Sequence, residues 1–274
     1  MPSAFDHLVV LDFEATCNNG PPPAPQEIIE FPSVLLSLAD RSVVDEFSSF
    51  VRPVHHPQLT DFCRELTGIE QADVDAAPPF LEVFAAHQAW LASHHLDSAL
   101  FIIAGDWDFK TMLPNQCATS GVAVPHAYRQ WCNIKAPFDA TIRHAKSSGM
   151  TSMLRTLGLE LEGRHHRGID DSRNIARIAL ALLDRGATLD VTSRLSPSQF
   201  PALPLTLQWR GKSVDVVLKK RSVQALLGLA SGQLHTKITE VQDPTGAPLT
   251  DTTLQELAPG ATLRAVGPSD ARAV

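Results

Sequence analysis

Four acids and one imidazole, Asp12, Glu14, Asp108, Asp171 and His166, have the types and spacing of a cation-assisted hydrolytic site. Asp12 and Glu14 close the hydrophobic run Leu8-Val9-Val10-Leu11-Asp12-Phe13-Glu14. Side chains two apart on a strand share a face, so a strand over 8–14 is expected to project both carboxylates to one place. Asp108 follows a second apolar run, Leu100-Phe101-Ile102-Ile103-Ala104, and His166 precedes Asp171 where a helical pattern begins. Carboxylates about 4 Å apart repel by roughly 4 kcal/mol per pair at an effective dielectric of about 20. Such a cluster must protonate or bind cations, and hard oxygen ligands favour magnesium or manganese over zinc. Two ions about 3.5–4 Å apart would activate a water and stabilise the leaving oxygen of an in-line displacement at phosphorus. Asp12 is expected to bridge them, with Glu14, Asp108 and Asp171 completing the shell. His166 is the expected general base, and Glu14 is placed to orient the water or hold a terminal sugar.

The elements that must position these groups are legible in outline. The chain has 274 residues, 44% of them hydrophobic, which favours two domains and a sizeable core. No run approaches the roughly 18 uninterrupted apolar residues of a membrane span. The first strand starts by about Leu8, which leaves no room for a targeting segment ahead of it. Cys17, Cys63, Cys117 and Cys132 are widely separated. They read as reduced thiols, which suits a cytoplasmic or nuclear compartment.

The Pro-rich stretch Asn18-Asn19-Gly20-Pro21-Pro22-Pro23-Ala24-Pro25 must be loop. Val34 to Leu38 and Val43 to Val51 read as strands joined by a turn at Asp40-Arg41, and helical patterns follow near 60–66 and 80–95. The strand 100–104 feeds a helix over about 107–119 with Asp106 as its N-cap. Ile175, Ile178, Ala179 and Leu182 mark one buried face of a helix near 170–185. The sum is a mixed α/β sheet flanked by helices.

A boundary falls in Leu195-Ser196-Pro197-Ser198-Gln199-Phe200-Pro201-Ala202-Leu203-Pro204. Beyond it, Leu205, Leu207 and Trp209, then Val214, Val216 and Leu218, alternate on either side of Arg210-Gly211-Lys212, predicting a hairpin. Val223, Leu226, Leu227 and Ala230 give a helical face, and strands follow at 238–241 and 261–266. The order ββαββ is that of a small α+β β-grasp module. The expected division is a domain over 1–195, a linker over 196–203, a module over 204–268 and a tail over 269–274.

Net charge is −7, yet residues 109–177 carry 10 Lys/Arg against 5 Asp/Glu, while residues 1–108 carry 3 against 17. An acidic, cation-binding part beside a basic part suits a phosphodiester substrate.

Two resemblances add to this reading. Asp12-Phe13-Glu14-Ala15-Thr16-Cys17 with Gln26-Glu27-Ile28-Ile29-Glu30-Phe31-Pro32 resembles the first motif of the Eri-type 3′–5′ exoribonucleases, a DEDDh branch with an RNase H-like fold. Gly105-Asp106-Trp107-Asp108-Phe109-Lys110 is similar to their second motif and Gly163-Arg164-His165-His166-Arg167-Gly168-Ile169-Asp170-Asp171 to their third. The likeness spans about residues 6–195. It implies removal of nucleoside 5′-monophosphates from RNA with a free 3′ end, using two Mg2+ or Mn2+ ions. It selects Asp108 over Asp106, and His166 and Asp171 over His165 and Asp170. It also implies that groups around Phe13, Ala15 and Thr16 cradle the terminal nucleotide and that Trp107 packs near its base or ribose. His166 would then sit beside the substrate, and Lys110, Arg129, Lys135 and Arg164 are potential phosphate contacts.

Gly246-Ala247-Pro248-Leu249-Thr250-Asp251 leading to Leu257 and Gly260-Ala261-Thr262-Leu263 resembles the ubiquitin-like family. The final residues, Ala273-Val274, lack a diglycine, so docking of a protein partner through 204–268 is the expectation rather than conjugation. Two other readings compete: a DNA exonuclease of proofreading type, and an adaptor recruited through the ubiquitin-like module.

Overall fold

The computed structural model describes residues 5–96, 99–143, 146–196, 203–257 and 260–268. The chain divides into two compact units, Met1–Gln116 with Ala127–Arg194, and Cys117–His126 with Leu195–Val274. The expected linker at 196–203 falls almost wholly outside the described residues, and the 269–274 tail entirely so.

The first unit opens with β1 (His7–Val10), β2 (Glu14–Ala15), β3 (Ile28–Ser37) and β4 (Ser42–Phe50). All ten residues of β3 are buried, as expected of a strand covered on both faces. Next come α1 (Asp61–Thr67), α2 (Gln71–Asp75), α3 (Phe80–Ser93), β5 (Leu100–Ile103) and a π-helical turn over Asp108–Met112. That turn leads into α4 (Leu113–Thr119) and then β6 (Gln130–Asn133), α5 (Lys135–Thr141) and α6 (Met150–Leu157). The unit ends with α7 (Gly168–Asp184) and β7 (Ser193–Arg194). The sheet runs β4-β3-β1-β5-β6-β7, with β2 pairing the start of β3. The pairs β1–β5 and β5–β6 are parallel, while β1–β3 and β6–β7 are antiparallel. One core lies between this sheet and α5, α6 and α7, joining Val10, Ile102 and Phe138 to Ile175, Ile178, Ala179 and Leu182. The face expected for α7 is therefore the buried one.

Two local expectations change. The expected strand 8–14 is interrupted: β1 stops at Val10, and pairing resumes only at Glu14. Across the gap the Leu11 N–H donates to the Ile102 carbonyl at 3.0 Å. Asp106 does not cap the helix that follows β5. Its carboxylate accepts from Trp131 Nε1 at 2.8 Å and Ser193 Oγ at 3.0 Å. The helix instead starts as a wide turn in which the Leu113 N–H reaches back five residues to the Asp108 carbonyl. Pro114 lies just beyond and brings no N–H of its own.

The second unit holds β8 (Leu203–Trp209), β9 (Lys212–Leu218), α8 (Val223–Gln233), β10 (Glu240–Gln242), α9 (Asp251–Glu256) and β11 (Ala261–Val266). The helix α9 was not anticipated. It begins at Thr250, whose hydroxyl accepts from the Thr253 N–H in a capping box. The sheet order is β10-β11-β8-β9, with β8 and β11 parallel at the centre and antiparallel strands outside. Arg210 (φ 46°) and Gly211 (φ 77°) form the hairpin turn with two positive φ angles, which suits the twist of the flanking strands. Among the described residues, no helix is long and apolar enough to cross a membrane.

Candidate active site

The break between β1 and β2 is what shapes the site. Asp12 lies in the gap and Glu14 on the first residue of β2. The parallel partner β5 delivers Asp108, whose Oδ1 accepts the Phe13 N–H at 3.0 Å. That bond ties the second acidic segment to the backbone between the first two acids. From α7, Asp171 completes the set: one ligand oxygen from each of Asp12, Glu14 and Asp171 lies within 4.8 Å of the others. Asp108 is outside that triad, but its charge is felt there, as described below.

Gly168 allows α7 to come so close. A Cβ at this position would lie 2.7 Å from the Asp12 carbonyl oxygen, 3.0 Å from Pro32 Cγ and 3.2 Å from Glu30 Oε2. Only glycine leaves room for the helix start against this backbone.

The acids are hidden from water: Glu14 is 8% exposed, Asp108 5% and Asp171 2%. Burial first, then the charges of Asp108, Asp171 and Glu30, hold the Asp12 carboxyl well above the usual carboxylate range. Burial, with Asp12 as the next cause, pushes Glu14 up to about 10. Asp108 rises to about 6 through burial, opposed by the Phe13 N–H. Burial also raises Asp171, opposed by the His166 N–H and the His165 ring. Without cations, then, the cluster is partly protonated near neutral pH. A set of buried, mutually repelling oxygen donors within ligand distance suits hard divalent cations, which would displace those protons.

The imidazoles are arranged differently from the simple spacing argument. His166 is exposed and adopts φ 65°, and its backbone N–H donates to Asp171 Oδ2 at 2.8 Å. It is the neighbouring His165 whose Nδ1 lies 3.1 Å from the same oxygen, and the two rings stack with centroids 3.9 Å apart. His165, His166 and Asp171 also bring ligand atoms within 4.8 Å of one another. Burial and the proximity of His165 lower the His166 pKa, which favours the neutral, proton-accepting ring.

The residues expected to cradle a substrate fall into two groups. Phe13 is 4% exposed, its ring edge-on to Phe31 at 4.7 Å between centroids, so the side chain belongs to the aromatic core. Ala15 is buried, and the buried Thr16 spends its hydroxyl accepting the Glu27 N–H at 3.0 Å. Trp107, by contrast, is 39% exposed, and Lys110 is exposed beside it. Among the potential phosphate contacts, Arg129 is buried and Lys135 half-buried. Arg164 is exposed but donates to the Glu65 carbonyl.

Glu30 is the residue that spacing alone missed. It is fully buried, faces Glu14 across β2–β3, and accepts from the Gly168 N–H at 3.0 Å and from Arg167 Nε at 3.2 Å. A carboxylate at a helix N-terminus is electrostatically favoured, so Glu30 anchors α7 and sets the position of Asp171. Its signal was a lone charge inside Ile28-Ile29-Glu30-Phe31. Asp170 plays a similar part outside the cluster, accepting from the Arg164 N–H at 2.9 Å and from Arg173.

Residues 9–179 match the family model RNase_T, described as exonuclease. Human "ERI1 exoribonuclease 3" is 41% identical over 197 residues, covering 70% of this chain and 58% of that protein. Human "3'-5' exoribonuclease 1" is 36% identical over 214 residues, covering 76% and 61%. The chain thus spans less than two thirds of the length of either relative. Among solved structures, the nuclease domain of 3'hExo, a DEDDh family member bound to rAMP, superposes with a TM-score of 0.68 at 37% identity, covering 71% of this chain and all of that one. A 3'-exonuclease solved in a study of 3'-end recognition of a histone mRNA stem-loop gives 0.68 at 34% identity, covering 78% and 71%.

Proposed function

Because the chain belongs to the exonuclease family, we propose that its first unit is a metal-dependent 3′–5′ exoribonuclease, releasing nucleoside 5′-monophosphates from RNA 3′ ends. The observation that carries this reading is the convergence of Asp12, Glu14 and Asp171 oxygens within 4.8 Å, with Asp108 tied to the Phe13 backbone beside them. The relatives' names, exoribonuclease in each case, and the rAMP-bound neighbour favour RNA over DNA.

Asp12, Glu14, Asp108 and Asp171 would hold two Mg2+ or Mn2+ ions. When bound, such ions supply charge neutralisation, an acidified water and stabilisation of the departing 3′-oxygen. The protein's own part is to hold these carboxyl groups close together and screened from bulk water. His166, reachable from solvent and biased to its neutral form, takes the proton of the attacking water. The stacked His165 and the bond from the His166 N–H to Asp171 fix its place. Trp107 offers an exposed aromatic face to the terminal base or ribose, and Lys110 a cation to a phosphate. Phe13, Ala15 and Thr16 shape this end of the cleft through their backbone.

For the second unit we propose a ubiquitin-like β-grasp module over 204–268, joined to the exonuclease domain at 1–195 by the 196–203 linker and followed by the tail at 269–274. The parallel β8–β11 centre, its antiparallel flanks and the helix α8 packed on the apolar core support that reading.

The test is a time course on 5′-labelled RNA with a matched DNA. Wild-type protein with Mg2+ is expected to shorten the RNA from its 3′ end and release 5′-monophosphates, and EDTA is expected to stop it. His166→Ala should slow turnover by about 10²–10⁴-fold, the usual span for a general base. Faster digestion of the DNA would overturn the choice of substrate, and undiminished activity of His166→Ala the assignment of the base.

A further inference from the structure

At the hairpin end of the second unit's sheet, a cavity of about 390 Å3 is lined by Gln208, Trp209, Arg210, Lys212, Ser213 and Arg264, completed by Gly211 and Ala265. The size falls within the usual range of about 300–1,000 Å3 for ligand sites. Strand register assembles it. Gln208 of β8 stands opposite Ser213 of β9 and opposite Arg264 of β11, while Trp209 pairs with Lys212 across the turn. The left-handed backbone at Arg210 and Gly211 carries the guanidinium back over the indole, 5.0 Å from the ring centroid. That is a cation–π distance.

Three features point to a ligand of one kind. Of the lining side chains, three are cationic and none is acidic, so the lining favours an anionic ligand over a cationic one. Gln208, Arg210, Lys212, Ser213 and Arg264 are exposed and lie outside the buried apolar cluster, while Trp209 is half-buried with part of its surface packed against that cluster. Moreover, residues 203–268 carry seven Lys/Arg against five Asp/Glu, whereas residues 1–196 carry fifteen against twenty-four. The unit without the carboxylate cluster is the positively charged one. Cations beside a partly exposed aromatic ring are what single-stranded nucleic acid uses: phosphates draw the guanidinium and ammonium groups, and a base stacks on the ring. The Gln208 amide and Ser213 hydroxyl add donors and acceptors for a base edge or a 2′-hydroxyl.

We propose that this cavity is a second RNA-binding site, separate from the catalytic acids, in which Arg210, Lys212 and Arg264 grip backbone phosphates and Trp209 stacks a base. The choice of RNA among polyanions rests on the exoribonuclease reading of the first unit.

The test uses the full chain and a fluorescent single-stranded RNA about 12 nucleotides long, within the span one small domain can engage. Anisotropy is read in EDTA, where hydrolysis cannot interfere. The triple variant Arg210→Ala/Lys212→Ala/Arg264→Ala should bind about tenfold or more weakly. Its slope of log K against log salt should be shallower by about 2, as expected for three lost phosphate contacts on a single strand. Trp209→Ala should bind about fivefold more weakly with an unchanged slope, and Trp209→Phe should restore most of that loss. Should the triple variant melt early, Arg264→Gln alone should weaken binding about threefold and flatten the slope by about 0.7.

Wild-type affinity and slope in these variants would overturn the proposal. Polyglutamate displacing the RNA at equal charge concentration would overturn the commitment to RNA in favour of an acidic protein. Dinucleotide hydrolysis by the same variants keeps the two readings apart. A chain that binds through the cavity but cleaves nothing loses only the exonuclease reading. One that cleaves normally but ignores the cavity loses only this inference.

Discussion

In the first unit, Glu14, Glu30, Asp108 and Asp171 are each at most 8% exposed and crowd around Asp12, whereas the buried cluster of the second unit is made of Leu, Val, Ile and Ala alone. Both units bury apolar sheet faces against helices, so the hydrophobic effect accounts equally for each. Among the described residues the second unit buries one cation, Arg221, whose pKa burial lowers, but only the first unit gathers several buried charges of one sign. Burial leads the causes that raise Asp12, Glu14, Asp108 and Asp171. A fold tolerates such a cluster when something besides stability requires it, and here that requirement is cation binding. Arg221 apart, the second unit's cations named above, Arg210, Lys212 and Arg264, lie at its surface.

The contrast yields graded expectations. The largest effect belongs to Asp12→Ala. RNA hydrolysis should fall about a thousandfold or more, equivalent to about 4 kcal/mol of transition-state stabilisation. Urea unfolding in EDTA should nevertheless find the variant no less stable than wild type, since the carboxyl removed is one whose ionised form burial and its acidic neighbours disfavour. A marked loss of stability would break the comparison.

In the second unit the opposite pattern is expected. Leu263, 1% exposed in an apolar cluster, should cost about 2–5 kcal/mol on truncation to alanine. Dinucleotide turnover below the transition should be unaffected. Loss of turnover with the unit still folded would show that the catalytic chemistry depends on it.

Gly168→Ala tests the close approach of α7. Displacing the Asp12 carbonyl and Glu30 should cost about 1–3 kcal/mol and slow hydrolysis at least about tenfold. Wild-type rates would mean that the helix start can move without disturbing Asp171.

The smallest effect is a pH slope. His87 is fully buried between Ser33 Oγ at 2.9 Å and the Tyr128 hydroxyl at 2.7 Å, and burial depresses its pKa to about 3. Its unfolded value is near 6.5, so the unfolded chain binds the extra proton first. The contribution is complete above about pH 6.5 and drains away as pH falls toward about 3, at up to about 1.4 kcal/mol per pH unit. His87→Gln should be less stable but lose stability less steeply between about pH 6.5 and 5. Parallel slopes would contradict the assignment.

How much of this the sequence disclosed depended on whether the signal was local. The acids were legible because Asp12, Glu14 and Asp108 interrupt or follow apolar runs and Asp171 opens a strongly periodic helix. The strand break at Leu11–Phe13 was not, because those residues look like strand; it is set by which partner each side pairs with, β5 up to Leu11 and the start of β3 from Glu14. The family likeness selected His166 over His165, yet it gave no sign that His165 would take the ring contact with Asp171. That choice follows from the left-handed backbone at His166. The helix α6 carries a local signal as well: Met150, Met153, Leu154 and Leu157 repeat at helical spacing and are all buried. By contrast α5, seven residues with Pro137 inside its first turn, carries no periodic signal of its own. The His87–Tyr128 bond joins remote segments and left no mark in sequence.

Calorimetric titration of Mn2+ into the protein at pH 7, repeated in buffers of different ionisation enthalpy, tests the metal-site claim most directly. Wild type should bind the ion and release protons, because carboxyls held protonated by burial must ionise to serve as ligands, and Asp12→Asn should abolish or greatly weaken both. Absence of binding, or binding of equal strength and no proton release in the two proteins, would contradict the account.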